Sequence, residues 1–192
     1  MLKDLVVRTR SYRRFHEDRP VGAETLRELV DLGRLAASAR NAQPLHYILC
    51  SDRETNAAIF ATLAWAGYLT DWPGPAEGER PAAYIVLLST ESKNVWASVD
   101  EGLALQNILL GATERGLGGC IIGSVSRDTL RRILDIPAQY EILTVLALGV
   151  PKETVVIEEV KPDGDIRYWR DAESVHHVPK RRLEDIIVAA LG

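Results

Sequence analysis

Cysteine is scarce in this chain: only Cys50 and Cys120 occur. Both sit within apolar runs, with neither a CxxC nor a Cys/His metal spacing, so a zinc site has no support and two buried thiols in a reduced, cytoplasmic protein are expected. Long apolar runs are missing too. None reaches about 18 residues, and no N-terminal stretch resembles a signal peptide, which argues against a membrane span and for cytoplasmic residence. An excess of positive charge is absent: the net charge is −4 at pH 7, so no global basic field argues for nucleic acid. The sequence has no G-x-S-x-G and no P-loop. Gly116-Leu117-Gly118-Gly119 follows a helical pattern rather than a strand, which fails the context of a dinucleotide fingerprint. His176 and His177 are adjacent and cannot both face one ion from one side of a strand. With no acid–base constellation in view, the chemistry of an enzyme built on this chain should belong to a bound cofactor.

What remains is an ordinary soluble composition. The 192 residues, 46% hydrophobic and 26% charged, fit a single domain, residues 1–192, with a sizeable core. Residues 1–8 suggest a short helix. Leu26, Leu29, Val30, Gly33 and Ala37 repeat at helical spacing, which places a helix over 23–37. A strand follows at 46–50, then a helix over 53–66. Gly and Pro exclude regular structure from 67–81. There Tyr68, Leu69 and Trp72 either line a pocket or staple the loop down. The unbroken apolar run 83–88 fits a central strand covered on both faces. A helix over 95–116, apolar nearly all round, should be buried. Strands at 120–122 and 142–150 flank a helix at 126–135 with Ser126 as N-cap. Residues 151–182 look polar and irregular. The apolar stretch 183–191 is ambiguous between strand and helix, and a tail reaching across to a second subunit would explain it.

Two stretches stand out. Residues 8–19 carry five arginines against Glu17 and Asp18, a local +3 in an acidic chain. Arginine forks match phosphate oxygens in pairs; a solvated face explains the same run equally well. The second stretch runs from Ala36 to Leu45. It sets Ser38, Arg40, Asn41 and Gln43 among alanines, and Asn and Gln suit a ring edge carrying alternating donors and acceptors. Pro44 should stop the helix and bias Gln43 toward an extended backbone. Taken alone, this hub reads better as an ordinary helix-to-strand turn.

Taken in order, Arg10-Ser11-Tyr12-Arg13-Arg14-Phe15, Ser38-Ala39-Arg40-Asn41-Ala42-Gln43-Pro44, Gly116 to Gly123 and Ala147-Leu148-Gly149-Val150-Pro151 resemble the nitroreductase family of FMN-dependent oxidoreductases. The resemblance spans essentially the whole chain. It implies an α+β fold with a central mixed β-sheet flanked by helices, and a homodimer with FMN at the subunit interface. It also implies a C-terminal segment extending onto the partner subunit. By motif position Arg10, Ser11 and Arg13 would hold the FMN phosphate. Ser38, Asn41 and Gln43 would meet the flavin from the other subunit, and Ile122 and Gly123 would offer backbone groups near its N5 edge. Lys180 and Arg182 would add phosphate contacts. NADH or NADPH would donate the hydride, and nitroaromatic, quinone or related small-molecule acceptors would receive it by a ping-pong cycle. Another flavin reaction, such as dehydrogenation or dehalogenation, and a flavin-binding sensor or storage protein without turnover remain alternatives. The chain departs from the family's pattern at Thr9, where Arg is frequent, at Ala37, where Pro is frequent, and at Arg40, where Gly is common.

Overall fold

Ala83–Ser89 (β2) is buried at every position, as an unbroken apolar run in the middle of a sheet requires. The computed structural model describes residues 1–90 and 95–192. In it β2 pairs antiparallel with Leu45–Cys50 (β1) on one side and with Glu141–Gly149 (β4) on the other. Gly118–Ile122 (β3) closes the order β1-β2-β4-β3 by antiparallel pairing with β4. Beyond β3, Ser11 adds a single parallel bridge to Gly119.

Helices cover both faces of this sheet. Ala23–Arg34 (α2) and Val95–Glu114 (α4) bury Leu26, Leu29, Leu105, Ile108 and Leu109 against Ile85, Leu87, Leu146 and Leu148. On the opposite face, Arg53–Phe60 (α3) and Arg127–Ile133 (α5) bring Ile59 and Leu130 onto Tyr84, Val86 and Val145. The alternation of β2 divides its side chains between the two cores. Cys50 and Cys120 are both buried and free. Gly33 lets α2 approach α4 closely: a Cβ there would stand 2.9 Å from the Ile108 side chain. The first helix, Leu2–Arg8 (α1), is fastened to α4 by a 3.0 Å hydrogen bond between the Thr9 and Thr113 hydroxyls.

The structure corrects several sequence expectations. The helix starting at Ala23 stops at Arg34 rather than continuing to Ala37. The one starting at Arg53, N-capped by Asp52, stops at Phe60 rather than at Ala66. There tertiary pairing wins: Leu63 bridges Val125, and the Ala64 N–H donates to the Ser124 carbonyl at 3.0 Å. Ser126 takes the N-cap position of α5 but makes no side-chain capping bond. Gln43 is not extended before Pro44; its φ is 49°. The long helix α4 is buried on one side only, because Val95, Trp96, Val99 and Leu103 are exposed in the single chain.

The largest correction concerns residues 151–182. They are not irregular but carry a second sheet, with Val155–Glu159 (β5), Trp169–Arg170 (β6) and His176–Lys180 (β7) in the order β5-β7-β6. β7 runs parallel to β5 and antiparallel to β6. Pro179 argues against a central strand on sequence grounds. It is tolerated because β6 pairs only with His176 and His177, leaving β7 a single neighbour at Pro179. After it comes a four-residue helix, Leu183–Ile186 (α6), and then a segment without regular structure. Leu183, Ile186, Ile187, Val188 and Leu191 are all exposed.

Candidate functional site

The arginine stretch runs along the open edge of β3. The Tyr12 N–H donates to the Gly119 carbonyl at 3.0 Å, so Gly119 faces outward from the sheet. Strand alternation puts Ile121 on that same open side, while Ile122 turns its backbone toward β4 and its side chain into the core. Gly123 follows at the exposed end of the strand, its carbonyl accepting from Arg127 at 3.3 Å.

The five arginines of this stretch have different fates. Arg14 is committed to Glu79 by a bidentate pair at 2.6 and 2.5 Å. That pair holds the carboxyl of Glu79 below the usual carboxylate range. Arg10 and Arg13 differ: among the described residues neither has a carboxylate partner. Arg10 donates to the Val6 carbonyl at 2.8 Å, and its Nε is buried with no hydrogen-bond partner among the described residues. Burial pushes its guanidinium pKa down, the sign of a cation held without a counter-ion. Arg13 lies over the Tyr168 ring at 4.7 Å and donates to His176 Nε2 at 3.1 Å. Ser11 beside them is exposed.

Glu153, which the sequence reading missed, organises this stretch from below. Its side chain is fully buried. One carboxylate oxygen accepts the backbone N–H groups of Arg13 and Arg14, and the other accepts from Arg170 at 2.9 Å. Arg170 in turn stacks over Trp72 at 4.6 Å, and Tyr68 meets Tyr168 at 4.9 Å. The aromatics of the 67–81 loop therefore staple that loop to the second sheet. His176 accepts from Arg13 through Nε2 and so carries its proton on Nδ1. Burial, reinforced by Arg13 and Arg170, pushes its pKa down to about 4. His177 is the opposite case. It bridges Asp171 and Glu158 and stacks on Trp169 at 4.0 Å; its hydrogen bond to Asp171 is the first cause raising its pKa.

The hub lies elsewhere. Ser38 donates its hydroxyl proton to Asp100 of α4 at 2.6 Å, and the Ala39 N–H donates to the other oxygen of that carboxylate at 3.0 Å. Arg40, Asn41 and Gln43 have φ of 56°, 54° and 49°, three left-handed non-glycine residues within four positions, where side chains are costly to hold. All three side chains are exposed. A cleft of about 150 Å³ opens here, lined among others by Ala37, Ser38, Gln43, Pro44 and Asp100.

One chain does not bring all of these residues together. The hub touches α4 at Asp100, and the arginine stretch touches it at Thr113. Thirteen residues of helix separate those points by about 20 Å. Lys180 lies four residues beyond His176 on β7, about 13 Å further along the strand, and Arg182 is paired with Asp185 at 3.1 Å and Glu159 at 3.7 Å. A larger cleft, about 640 Å³, is lined by Glu17, Arg53, Phe60 and Arg80 among others and contains none of the residues expected at the site.

A sheet covered by helices on both faces, with arginines on its open edge that meet no carboxylate among the described residues, defines an α+β protein. The chain belongs to the nitroreductase family, whose model matches residues 6–150. That family is FMN-dependent, and its members are oxidoreductases. A protein of Archaeoglobus fulgidus, provisionally named an NADH dehydrogenase/NAD(P)H nitroreductase, is 30% identical over 156 residues, covering 77% of this chain and 84% of its own. The crystal structure of a Parabacteroides distasonis protein with the same provisional name is 26% identical with a TM-score of 0.63, covering 78% of this chain and 86% of its own. A nitroreductase family protein of Streptococcus pneumoniae, 16% identical, shares the fold over 99% of this chain and all of its own, with a TM-score of 0.70. Among the described residues no helix is long and apolar enough to cross a membrane, and no cluster of metal-binding side chains occurs.

Proposed function

We propose that this chain, acting as one domain, is an FMN-dependent NAD(P)H oxidoreductase for small nitroaromatic, quinone or related acceptors. The observation that carries this reading is the pair Arg10 and Arg13. Among the described residues both are cations without a carboxylate partner, one with a buried, unpaired Nε, on the edge beside Gly119. A phosphate is the group that would satisfy them. Arg10, Ser11 and Arg13 would hold the FMN phosphate, with Lys180 and Arg182 as further candidates. The outward-facing backbone of Ile121 and Gly123 would supply groups along the ring, whereas Ile122 is turned toward β4. Bound FMN would supply the hydride chemistry between NADH or NADPH and the acceptor. The protein's part is to bind, orient and shield.

The roughly 20 Å between hub and arginines along α4 supports a site completed by a second copy, with Ser38, Asn41 and Gln43 of the partner subunit over the ring. The outward apolar stripe of α4 and the exposed tail 183–192 supply surface for such a homodimer. A cytoplasmic location fits the two buried thiols.

The test is reconstitution with FMN, followed by anaerobic addition of NADH or NADPH. A flavin absorption band that bleaches supports the oxidoreductase. A bound flavin that neither donor bleaches leaves a binding protein. Arg10→Ala should weaken FMN binding about ten- to a hundredfold, the cost of one charge-assisted contact; unchanged affinity in both Arg10→Ala and Arg13→Ala would make these arginines a solvated face.

A further inference from the structure

The hub holds a buried carboxylate whose role the family motif does not indicate. Asp100 is 4% exposed on the largely apolar buried face of α4. Both of its oxygens are engaged, Oδ2 by the Ser38 hydroxyl at 2.6 Å and Oδ1 by the Ala39 N–H at 3.0 Å. The Ser38 oxygen also accepts the Gln43 N–H at 2.9 Å. A carboxylate only accepts, so the single proton of Ser38 points at Asp100. Gln43 takes one of the two lone pairs of Ser38. What Ser38 can still offer a ligand is one lone pair, and no proton.

The same three bonds span the strained turn. Ser38 ties Gln43 across the left-handed residues Arg40 and Asn41, and Asp100 ties Ser38 to the long helix. Strained backbone of this kind persists only where surrounding contacts over-determine it. Asp100 and Ser38 do so here, together with the Gln43 amide, whose Nε2 donates to the Asn41 carbonyl at 3.4 Å.

We propose that Asp100 is a positioning residue for the flavin. It fixes the hub's left-handed turn and makes Ser38 an obligate acceptor, so that the hub reads an N–H of the flavin ring rather than a carbonyl. This rests on the reading above that the hub of one subunit covers the flavin of the other. Asp100 also places a negative charge behind the ring edge. Charge that develops on the flavin during reduction is disfavoured there, so the carboxylate keeps the flavin harder to reduce.

Asp100→Asn tests the polarity. An amide can donate to Ser38, which frees the serine proton to turn toward the ligand and removes the charge. The flavin midpoint, measured by spectroelectrochemical titration of the reconstituted protein, should rise, and FMN should bind about tenfold more weakly. A loss of packing alone would not move the midpoint in that direction. Asp100→Ala tests the turn in flavin-free protein, where hydrogen exchange at the Ala39 and Gln43 amides should speed about tenfold or more. A midpoint equal to wild type in Asp100→Asn, or unchanged exchange in a folded Asp100→Ala, overturns the proposal. If wild-type protein takes up no FMN, the functional reading fails first and this inference with it. If wild type binds FMN and the variants match it, only the inference fails.

Discussion

Removing the charge of Glu153 should unfasten the arginine stretch from the second sheet. The carboxylate is fully buried, and it is the counter-ion of Arg170, whose side chain is 14% exposed. It also accepts the Arg13 and Arg14 backbone N–H groups. Breaking a buried ion pair by removing one partner costs about 3–5 kcal/mol, because the other charge is left uncompensated. Glu153→Ala should lose that amount. Glu153→Gln keeps an acceptor for the two N–H groups, so its loss should sit nearer 2–3 kcal/mol. In a chain of this length 1 kcal/mol corresponds to about 2–4 °C in Tm, so Glu153→Gln should melt about 4–12 °C below wild type. Calorimetry measures the shift. A double-mutant cycle with Arg170→Met should recover most of it, since the pair is then removed together. FMN affinity should fall alongside, because the backbone that presents Arg13 is released. A Glu153→Gln protein that melts within about a degree of wild type would refute the idea that this carboxylate holds the stretch in place.

Three further outcomes are expected. Deleting residues 183–192 removes an exposed apolar tail and should give a monomeric chain that has lost FMN; a truncated protein that is dimeric by light scattering and yellow counts against the tail's role. Stability should peak near neutrality. The depressed pKa of His176, about 4, means the unfolded chain takes up the proton first, so stability falls as pH drops from about 6.5 toward 4. The pKa of His177 is raised by Asp171 and Glu158, so its contribution is full below the ordinary histidine range and is lost as pH rises through that raised value. His177→Gln should flatten the alkaline limb of a Tm-against-pH curve, and an unaltered limb would show the bridge to be inert. Finally, Arg40→Gly should lower the flavin's two-electron midpoint if the guanidinium reaches the ring edge, a 30 mV change being about 1.4 kcal/mol. Equal midpoints would leave Arg40 a surface residue.

The sequence by itself determined the parts of this protein whose cause is local. The apolar run at 83–88 fitted a doubly covered strand, and β2 is buried throughout. The glycines after the long helix end it, with Gly116 at φ 73°. The ordered motifs named the family, and the arginine excess singled out the stretch that lies along the open edge of β3. Tertiary structure decided whatever depends on which distant groups meet. Nothing near Glu153 in sequence says that it will lie beneath Arg13, 140 residues away. Nor does Asp100 reveal that it will meet Ser38. A buried charge declares itself only once its partner arrives by folding, because until then it is an ordinary acid in an apolar helix. The left-handed turn of Gln43 defied the local rule for a residue before proline, since bonds from Ser38 and Asp100 hold what the chain alone disfavours. Strands β5 to β7 were hidden for the same reason. Their short segments lack a hydrophobic period and exist because cross-strand pairs and the Glu153–Arg170 bridge, not local preference, stabilise them.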